Sequence, residues 1–235
     1  MTRFCWRFLR LGLVVWFLVV MGKISPVWAG SPVIITSGGS AKQAVALTFD
    51  DGPSPRYTPQ IMALLKQYQA RGTFFVLGGK VEKHPDLIQA MLAAGHEVGN
   101  HSYSHCRLLK TDRLARAREL ERTCLALDLL GCPKGSRLMR PPYSESDQRL
   151  VSYVKNTDRE MILWSVDSGD WRGLGAQAIA ANVLTQVKNG SIIIFHDSDE
   201  TGQADRNPTV AALNIILPAL RKAGYRLVTV SELLE

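Results

Sequence analysis

The sequence predicts an α/β domain built on a mainly parallel sheet, closed into a (β/α) barrel of about seven strands. Apolar, strand-like runs alternate with amphipathic, helix-like stretches along the chain. Repeated strand-then-helix units are typical of parallel sheets that are covered by helices. A length of 235 residues with 46% hydrophobic content suits one such domain. An open, doubly wound sheet is the alternative arrangement of the same units.

Seven short runs have the apolar content and the length of buried strands. The helix-like stretches between them are bounded by Pro, Gly and polar residues. Thr58 is expected to cap the first helix with Pro59 in its first turn, while Gly95 and Gly131 close two later helices. The strands are predicted at residues 45–50, 73–77, 97–101, 137–140, 161–166, 191–196 and 225–230, and the helices from 58 and at 85–94, 112–130, 146–155, 176–189 and 208–223.

The first 29 residues have the order of a secretory signal peptide. Arginines precede an apolar run over residues 11–21, and Ala29 then offers a small residue for cleavage. The run is shorter than the roughly 20 apolar residues that span a bilayer, and an uncleaved anchor is the alternative. Either way we expect the protein to be exported, whether secreted, periplasmic or on the cell surface. Residues 30–43 are rich in Gly and Ser and are predicted to be a linker, which leaves 44–235 for the folded domain.

The leader also accounts for much of the positive charge. Its removal takes away four basic residues and no acidic one, so the formal charge falls from +7 to +3. This charge is too small to indicate nucleic acid as a partner. We expect membrane contact only through an uncleaved N-terminal segment, and we expect a monomer. Three cysteines remain: a disulfide between Cys124 and Cys132 is possible in an exported protein, and Cys106 would then be left over.

Polar side chains fall at or just past the C-terminal ends of the predicted strands. In (β/α) barrels this rim brings side chains from distant segments together. Their positions therefore favour the barrel over the open sheet. The residues are Asp50, His101, Arg140, Asp167 and His196.

Two short motifs offer the ligands of a metal ion. TFDDGP supplies Asp50 and Asp51, and HSYSH supplies His101 and His105. Imidazole and carboxylate ligands together favour zinc or another transition metal over magnesium or calcium. Three protein ligands leave one position open for water, which a neighbouring carboxylate could deprotonate. The alternatives are that DDGP forms an ordinary turn and that the histidines lie in a polar loop.

Three later motifs carry the other candidate residues. His196 ends an apolar run, and its titration near neutrality suits a general acid, although a hydrogen-bonded core histidine is the alternative. Asp167 or Asp170, in DSGDW, could orient it, or the motif could simply form a turn. Arg140, in RPPY, could hold a carboxylate or form a surface salt bridge. Four aromatic side chains near the motifs could stack on sugar rings or pack in the core: Tyr103, Tyr143, Trp164 and Trp171.

In this order the motifs resemble those of the polysaccharide deacetylase family, also called the NodB-homology domain or carbohydrate esterase family four. The likeness extends over roughly residues 44–234, and all five family motifs are present: TFDDGP, HSYSH, RPPY, DSGDW and an aliphatic-X-His over 194–196. The stretches GTFFVLG, GHEVGNH and GYRLVTVSELL agree as weaker landmarks. The resemblance implies an irregular (β/α) barrel with a catalytic domain over 44–235. No motif position departs from the pattern, which implies an active enzyme.

The resemblance also implies a role for each motif residue. Three of them would hold a divalent transition metal, expected to be zinc, with cobalt or manganese as alternatives. Others would transfer protons, bind the oxyanion or shape the pocket for the acetyl group. The implied roles are metal ligands Asp51, His101 and His105; general base Asp50, positioned by Arg140; general acid His196, tuned by Asp170; oxyanion donor the backbone N–H of Tyr143; and acetyl pocket Trp171 and Ile194.

The implied reaction is hydrolysis of the acetyl groups of a polysaccharide. The expected substrate contains N-acetylglucosamine units, as in peptidoglycan or chitin-type oligosaccharides, and the products are acetate and a free amine. An O-acetyl esterase that acts on acetylated xylan or a related glycan is the alternative within the family. A non-enzymatic carbohydrate-binding protein is the alternative outside it. The motifs do not identify the polymer, because substrate choice lies in the loops around the rim.

Overall fold

A parallel sheet forms the centre of the molecule. The computed structural model describes residues 34–132 and 137–235, so the predicted signal peptide over 1–29 lies outside the described residues. Within these ranges the sheet has nine strands, and the pairings between them are parallel. The strands are β1 (Ile34–Ile35), β2 (Ala44–Gly52), β3 (Gly72–Val76), β4 (Glu97–Asn100), β5 (Leu138–Met139), β6 (Glu160–Ile162), β7 (Val166–Asp167), β8 (Ile192–His196) and β9 (Arg226–Val228).

A helix follows most of the strands, as the sequence predicts. The order of elements is the strand-then-helix repeat that lets consecutive strands run parallel. The helices are α1 (Thr58–Gln67), α2 (Gly78–Val81), α3 (Pro85–Ala93), α4 (Arg113–Leu129), α5 (Gln148–Asn156), α6 (Ala176–Leu184), α7 (Asn207–Lys222) and α8 (Val230–Leu234).

The order of the strands rolls the sheet into a barrel. The path runs β1-β6-β5-β4-β3-β2-β8-β7, and β9 pairs with β2 off this path. Strands β6 and β7 lie near opposite ends of the path, yet only residues 163–165 separate them in the chain. The sheet must therefore curl until this short segment bridges its two sides. This confirms the predicted (β/α) barrel.

The strand count differs from the prediction at two places. The run 161–166, predicted as one strand, is divided into β6 and β7 where the chain crosses between the two sides of the sheet. The segment 30–43, predicted as a linker, contributes β1, which pairs with β6. Burial of Ile35 against the sheet accounts for this extra strand. The other six predicted strands are present with boundaries that shift by a few residues.

The core lies between the sheet and its covering helices. All nine residues of β2 are buried, as expected of a central parallel strand with both faces covered. Phe49 stacks on Phe74 and Phe195 from the neighbouring strands, with ring centroids 5.0 and 5.7 Å apart. Cys124 and Cys132 are buried and are not bonded to each other. In the described part of the chain, no helix is both long and apolar enough to cross a membrane.

Two helix ends differ from the predictions. Tyr57, not Thr58, is the N-cap of α1. The Thr58 hydroxyl donates to Asp197 instead, so a tertiary contact replaces the local cap. Helix α6 ends at Leu184, several residues before the predicted end at 189.

Candidate active site

The predicted site residues lie at the C-terminal ends of their strands. These ends share one rim because the strands are parallel. Asp50 and Asp51 lie near the end of β2, and His196 ends β8. His101 directly follows β4, and Arg140 directly follows β5. The rim therefore gathers carboxylates, imidazoles and a guanidinium from four strands that are distant in the chain.

A bulge in β2 brings two consecutive carboxylates into one site. Successive side chains of a regular strand point to opposite faces of the sheet. Between Asp50 and Gly52 the register with β3 shifts, and Asp51 has a left-handed backbone with φ of 72°. Such a bulge re-aims a side chain. Asp50 and Asp51 consequently both approach His101 Nε2, at 3.8 and 3.3 Å.

Asp51, His101 and His105 form a cluster that fits a metal ion. Their ligand atoms all lie within 4.8 Å of one another. Asp51 Oδ1 is 3.3 Å from His101 Nε2 and 3.2 Å from His105 Nε2. Zinc–ligand distances are about 2.0–2.2 Å, so two ligand atoms of one zinc lie about 3–3.5 Å apart. Asp51 Oδ1 is also buried without a hydrogen-bond donor, as expected of an atom whose partner is a cation.

The hydrogen bonds of His101 turn its free nitrogen toward this cluster. His101 Nδ1 lies 2.7 Å from the backbone oxygen of Arg140. A carbonyl can only accept, so Nδ1 carries the proton and the lone pair is on Nε2. A histidine that donates its other N–H to a carbonyl is the usual arrangement of a metal ligand. Through this contact, the segment after β5 orients the His101 side chain within the candidate metal site.

Burial and neighbouring charges act on the ionisation of the cluster. Burial alone would raise the pKa of Asp51, but the close approach of His101 and the charges of His196 and His105 lower it. Burial lowers the pKa of His105. Burial would also lower the pKa of His101, but the nearby carboxylates of Asp50 and Asp51 raise it. Metal binding requires an ionised carboxylate and neutral imidazoles, so a proton and a metal ion would compete for His101 Nε2.

Arg140 connects Asp50 to the bridge between β6 and β7. Its side chain is fully buried, and Nη1 donates to Asp50 Oδ1 at 2.7 Å and to Thr48 Oγ1 at 2.9 Å. Nε donates to the carbonyl of Ile162 at 2.9 Å and Nη2 to that of Leu163 at 3.2 Å. One guanidinium thus orients the candidate base and satisfies carbonyls exposed where the strand is interrupted.

His196 and Asp170 form a second buried pair. His196 Nδ1 and Asp170 Oδ1 are 2.8 Å apart, and the His196 backbone N–H donates to Asp170 Oδ2 at 2.8 Å. Thr209 of α7 donates to the same Oδ2 at 2.9 Å. Burial would lower the pKa of His196, but the charge and hydrogen bond of Asp170 outweigh it and raise the pKa to about 9. The contact with Asp170 therefore favours the protonated form of His196 near neutral pH.

Two exposed aromatic rings stand at the rim. Tyr143 is 48% exposed and Trp171 is 55% exposed. The Tyr143 ring lies 4.7 Å from that of His105, and its residue has a left-handed backbone with φ of 59°. Arg107 covers one face of Tyr143 at 4.2 Å. Exposed ring faces beside a polar site are suited to stacking on sugars.

A further buried carboxylate, Asp197, supports the turn after β2. Its backbone N–H donates to the carbonyl of Asp50 at 3.2 Å. A Cβ atom on Gly52 would lie 2.4 Å from both carboxylate oxygens of Asp197, so this position requires glycine. Burial raises the pKa of Asp197 to about 7. Lys80 also stabilises this segment, since its Nζ donates to the carbonyl of Asp51 at 2.9 Å.

Some residues differ from their sequence-based interpretation. Of the two aspartates considered for orienting His196, Asp170 contacts it, while Asp167 accepts from the Gly169 N–H and lies 3.4 Å from Trp171 Nε1. Ile194 is buried in β8. Four residues that contact the site are absent from the sequence-based prediction: Thr48, Lys80, Asp197 and Thr209. Of these, only Thr48 was predictable, because it lies two positions before Asp50 and so on the same face of β2.

Several known proteins are similar to this chain in sequence and in fold. A sequence model of the family described as polysaccharide deacetylase matches residues 37–162. A peptidoglycan-N-acetylglucosamine deacetylase of Bacillus cereus is 39% identical over 203 residues, which cover 83% of this chain and 89% of that protein. A chitooligosaccharide deacetylase of Sinorhizobium fredii is 37% identical over 201 residues, which cover 81% and 92%. The crystal structure of the Bc1960 peptidoglycan N-acetylglucosamine deacetylase superposes with a TM-score of 0.82 at 34% identity, over 86% of this chain and 92% of that one.

The parallel barrel and these relatives place the protein among deacetylating hydrolases. The chain belongs to the polysaccharide deacetylase family, as its five motifs predict.

Proposed function

We propose that the enzyme removes N-linked acetyl groups from N-acetylglucosamine units of peptidoglycan or a chitin-type oligosaccharide and depends on a divalent metal, with zinc as the expected ion. The observation that carries the proposal is the cluster of Asp51, His101 and His105 beside the separate carboxylate of Asp50. An N₂O set of protein ligands with a neighbouring base is the equipment of a hydrolytic metal site.

Asp50 is the proposed general base. When bound, the metal ion would lower the pKa of water toward about 7 and polarise the acetyl carbonyl. Arg140 holds Asp50 Oδ1 at 2.7 Å, which fixes the carboxylate beside the cluster. From this position Asp50 accepts a proton from the attacking water. The carboxylate is buried, so little solvent competes for that proton.

His196 is the proposed general acid. Amide hydrolysis expels an amine, which leaves readily only when it is protonated. His196 carries the proton that its contact with Asp170 retains, and it donates this proton to the sugar nitrogen as the C–N bond breaks. The backbone N–H of Tyr143 is proposed to donate to the oxyanion, and Trp171 and Ile194 to shape the acetyl pocket. Acetate and a free amine are the products.

The substrate proposal is supported by the relatives. The Bacillus cereus protein is named for peptidoglycan N-acetylglucosamine and the Sinorhizobium fredii protein for chitooligosaccharides. Both substrates carry the same acetamido sugar. A site that hydrolyses this amide therefore suits either polymer, and the exposed rings of Tyr143 and Trp171 offer faces for the sugars.

The first test compares three substrates side by side. The zinc-loaded protein is incubated with peptidoglycan fragments, chitooligosaccharides and O-acetylated xylan, and mass spectrometry measures the loss of acetyl groups. We expect loss from at least one N-acetylated glycan, its abolition by a chelator and its recovery when zinc is restored. Loss from the xylan alone would establish the esterase alternative. Unchanged activity after verified metal removal would refute the metal dependence.

A second prediction concerns the pH dependence of activity. Asp170→Asn removes the charge that raises the pKa of His196, so this pKa should fall from about 9 toward 6.5 or lower. Since the general acid must be protonated, activity is lost as pH rises through its pKa. The alkaline limb of the kcat/KM profile should therefore move to lower pH in Asp170→Asn. An alkaline limb at the wild-type pH would show that His196 is not the acid.

A further inference from the structure

The loop that carries both histidines has an unusual backbone. Residues 101–105 include two left-handed non-glycine positions, Ser102 with φ of 69° and His105 with φ of 62°. Such conformations are strained in residues other than glycine and persist only where surrounding contacts enforce them. The separation of His101 and His105 Nε2 from Asp51 Oδ1 depends on this shape. Something outside the loop must therefore hold it.

Helix α2 holds the carbonyl side of the loop. The Gly78 N–H donates to the Ser102 carbonyl and the Gly79 N–H to the Tyr103 carbonyl, both at 3.0 Å. A Cβ atom on Gly78 would lie 2.4 Å from Thr123 Oγ1 and 2.8 Å from the Tyr103 ring. Glycine at position 78 therefore allows the close approach, and these two bonds fix one side of the loop.

Glu119 of α4 holds the amide side. Its Oε2 accepts from the backbone N–H groups of Tyr103 at 3.0 Å and Ser104 at 2.8 Å. Its Oε1 accepts from the Ser104 hydroxyl at 2.9 Å. Hydrogen bonds to an ionised acceptor are roughly twice as strong as neutral ones. One half-buried carboxylate thus makes three such bonds to the two residues that directly precede His105.

The other backbone N–H groups of the loop have neutral acceptors. The His101 N–H donates to the carbonyl of Val76 at 3.0 Å, the Ser102 N–H to Asn100 Oδ1 at 2.8 Å and the His105 N–H to Ser102 Oγ at 3.1 Å. Loss of Glu119 would leave two adjacent N–H groups without their acceptor. Because these groups precede His105, the position of that imidazole should loosen more than that of His101, which Arg140 also holds.

We infer that Glu119 is a positioning residue of the metal centre: its carboxylate holds the histidine loop in the conformation that places His105 against Asp51. The inference rests on the proposed function only in requiring that Asp51, His101 and His105 bind an ion. Partners that orient metal ligands typically contribute about 10–100-fold in affinity. Glu119 acts through the loop backbone, and we expect the lower end of that range.

The test measures metal affinity directly. The full-length protein and its Glu119→Ala variant are titrated with Zn²⁺ in competition with a chelator, and the absorption spectrum of the Co²⁺-loaded proteins reports the ligand geometry. Glu121→Ala is the matched control, since Glu121 lies on the same helix and binds Arg159 through both oxygens at 2.8 Å. We expect the Zn²⁺ Kd to rise about tenfold in Glu119→Ala with an altered Co²⁺ spectrum. The control should stay within about twofold.

The outcomes of this test distinguish a failure of the role inferred for Glu119 from a failure of the proposed metal-dependent function. Equal Zn²⁺ affinity in the wild type and Glu119→Ala overturns the inference and leaves the proposed function standing. An equal loss in Glu121→Ala also overturns it, because general destabilisation of α4 would then explain both. A wild type that binds no Zn²⁺ overturns the proposed metal dependence as well. If Glu119→Ala does not fold, Ser104→Ala removes one of the same bonds and should weaken Zn²⁺ binding by a smaller factor.

Discussion

Replacing Asp50 by Asn should lower kcat about 10³-fold while the protein keeps its metal. General acid–base catalysis contributes about 10²–10⁴-fold, and Asn has nearly the same shape but cannot accept the proton of water. Its amide oxygen can still accept from Arg140, which now donates to Asp50 Oδ1. Asp50 also lies outside the cluster of Asp51, His101 and His105. The expected loss is therefore one of proton transfer.

The measurement pairs steady-state kinetics on N-acetylated oligosaccharides with the zinc content of the purified variant. Asp86→Asn makes the same chemical change at an exposed position in the first turn of α3 and should leave kcat within about threefold, because surface substitutions have small effects. If Asp50→Asn keeps wild-type zinc content and retains more than a tenth of the wild-type kcat, Asp50 is not the base.

Arg140→Leu should destabilise the protein by about 4 kcal/mol. Removing one partner of a buried ion pair costs about 3–5 kcal/mol because the other charge stays buried and unpaired. Here that charge is Asp50, which is 2% exposed. The carbonyls of Ile162 and Leu163 lose their donors as well. We therefore expect the substitution to disturb both the segment 163–165, which connects β6 to β7, and the position of Asp50.

Urea unfolding of the metal-free protein measures this effect without a contribution from bound zinc. Arg226→Leu is the control, since Arg226 lies on the exposed end of β9 and its replacement should change the unfolding free energy by less than about 0.5 kcal/mol. Arg140→Lys should be intermediate, because one ammonium cannot match the forked geometry that reaches Asp50 and both carbonyls. A loss below about 1 kcal/mol in Arg140→Leu would contradict the structural role assigned to the ion pair.

The strands and the main helices could be predicted because the sequence signals for them lie within short segments of the chain. Apolar runs of strand length, with Pro and Gly between them, predicted six of the strands and the order of the main helices. Polar residues at strand ends predicted the rim. The division of 161–166 into two strands was not predictable, because an uninterrupted apolar run does not show where a sheet must curl to bring its two sides together.

The candidate site was predictable as a set of residues and much less so as a geometry. The motifs named the carboxylates and imidazoles, but a regular strand would have sent Asp50 and Asp51 to opposite faces. In the structure, the bulge in β2 brings both carboxylates to His101 instead. Likewise DSGDW offered two aspartates for His196, and the structure brings only Asp170 to it.

The amino-acid order alone was enough to predict which chemical groups the rim contains and that parallel strands bring them to one edge. How those groups face one another depends on contacts between elements of the folded chain. The bulge at Asp51, the contact of Arg140 with β6 and the contact of Glu119 with the histidine loop each involve residues from different secondary-structure elements. Such contacts depend on burial and on the competition between distant partners, which no local pattern records.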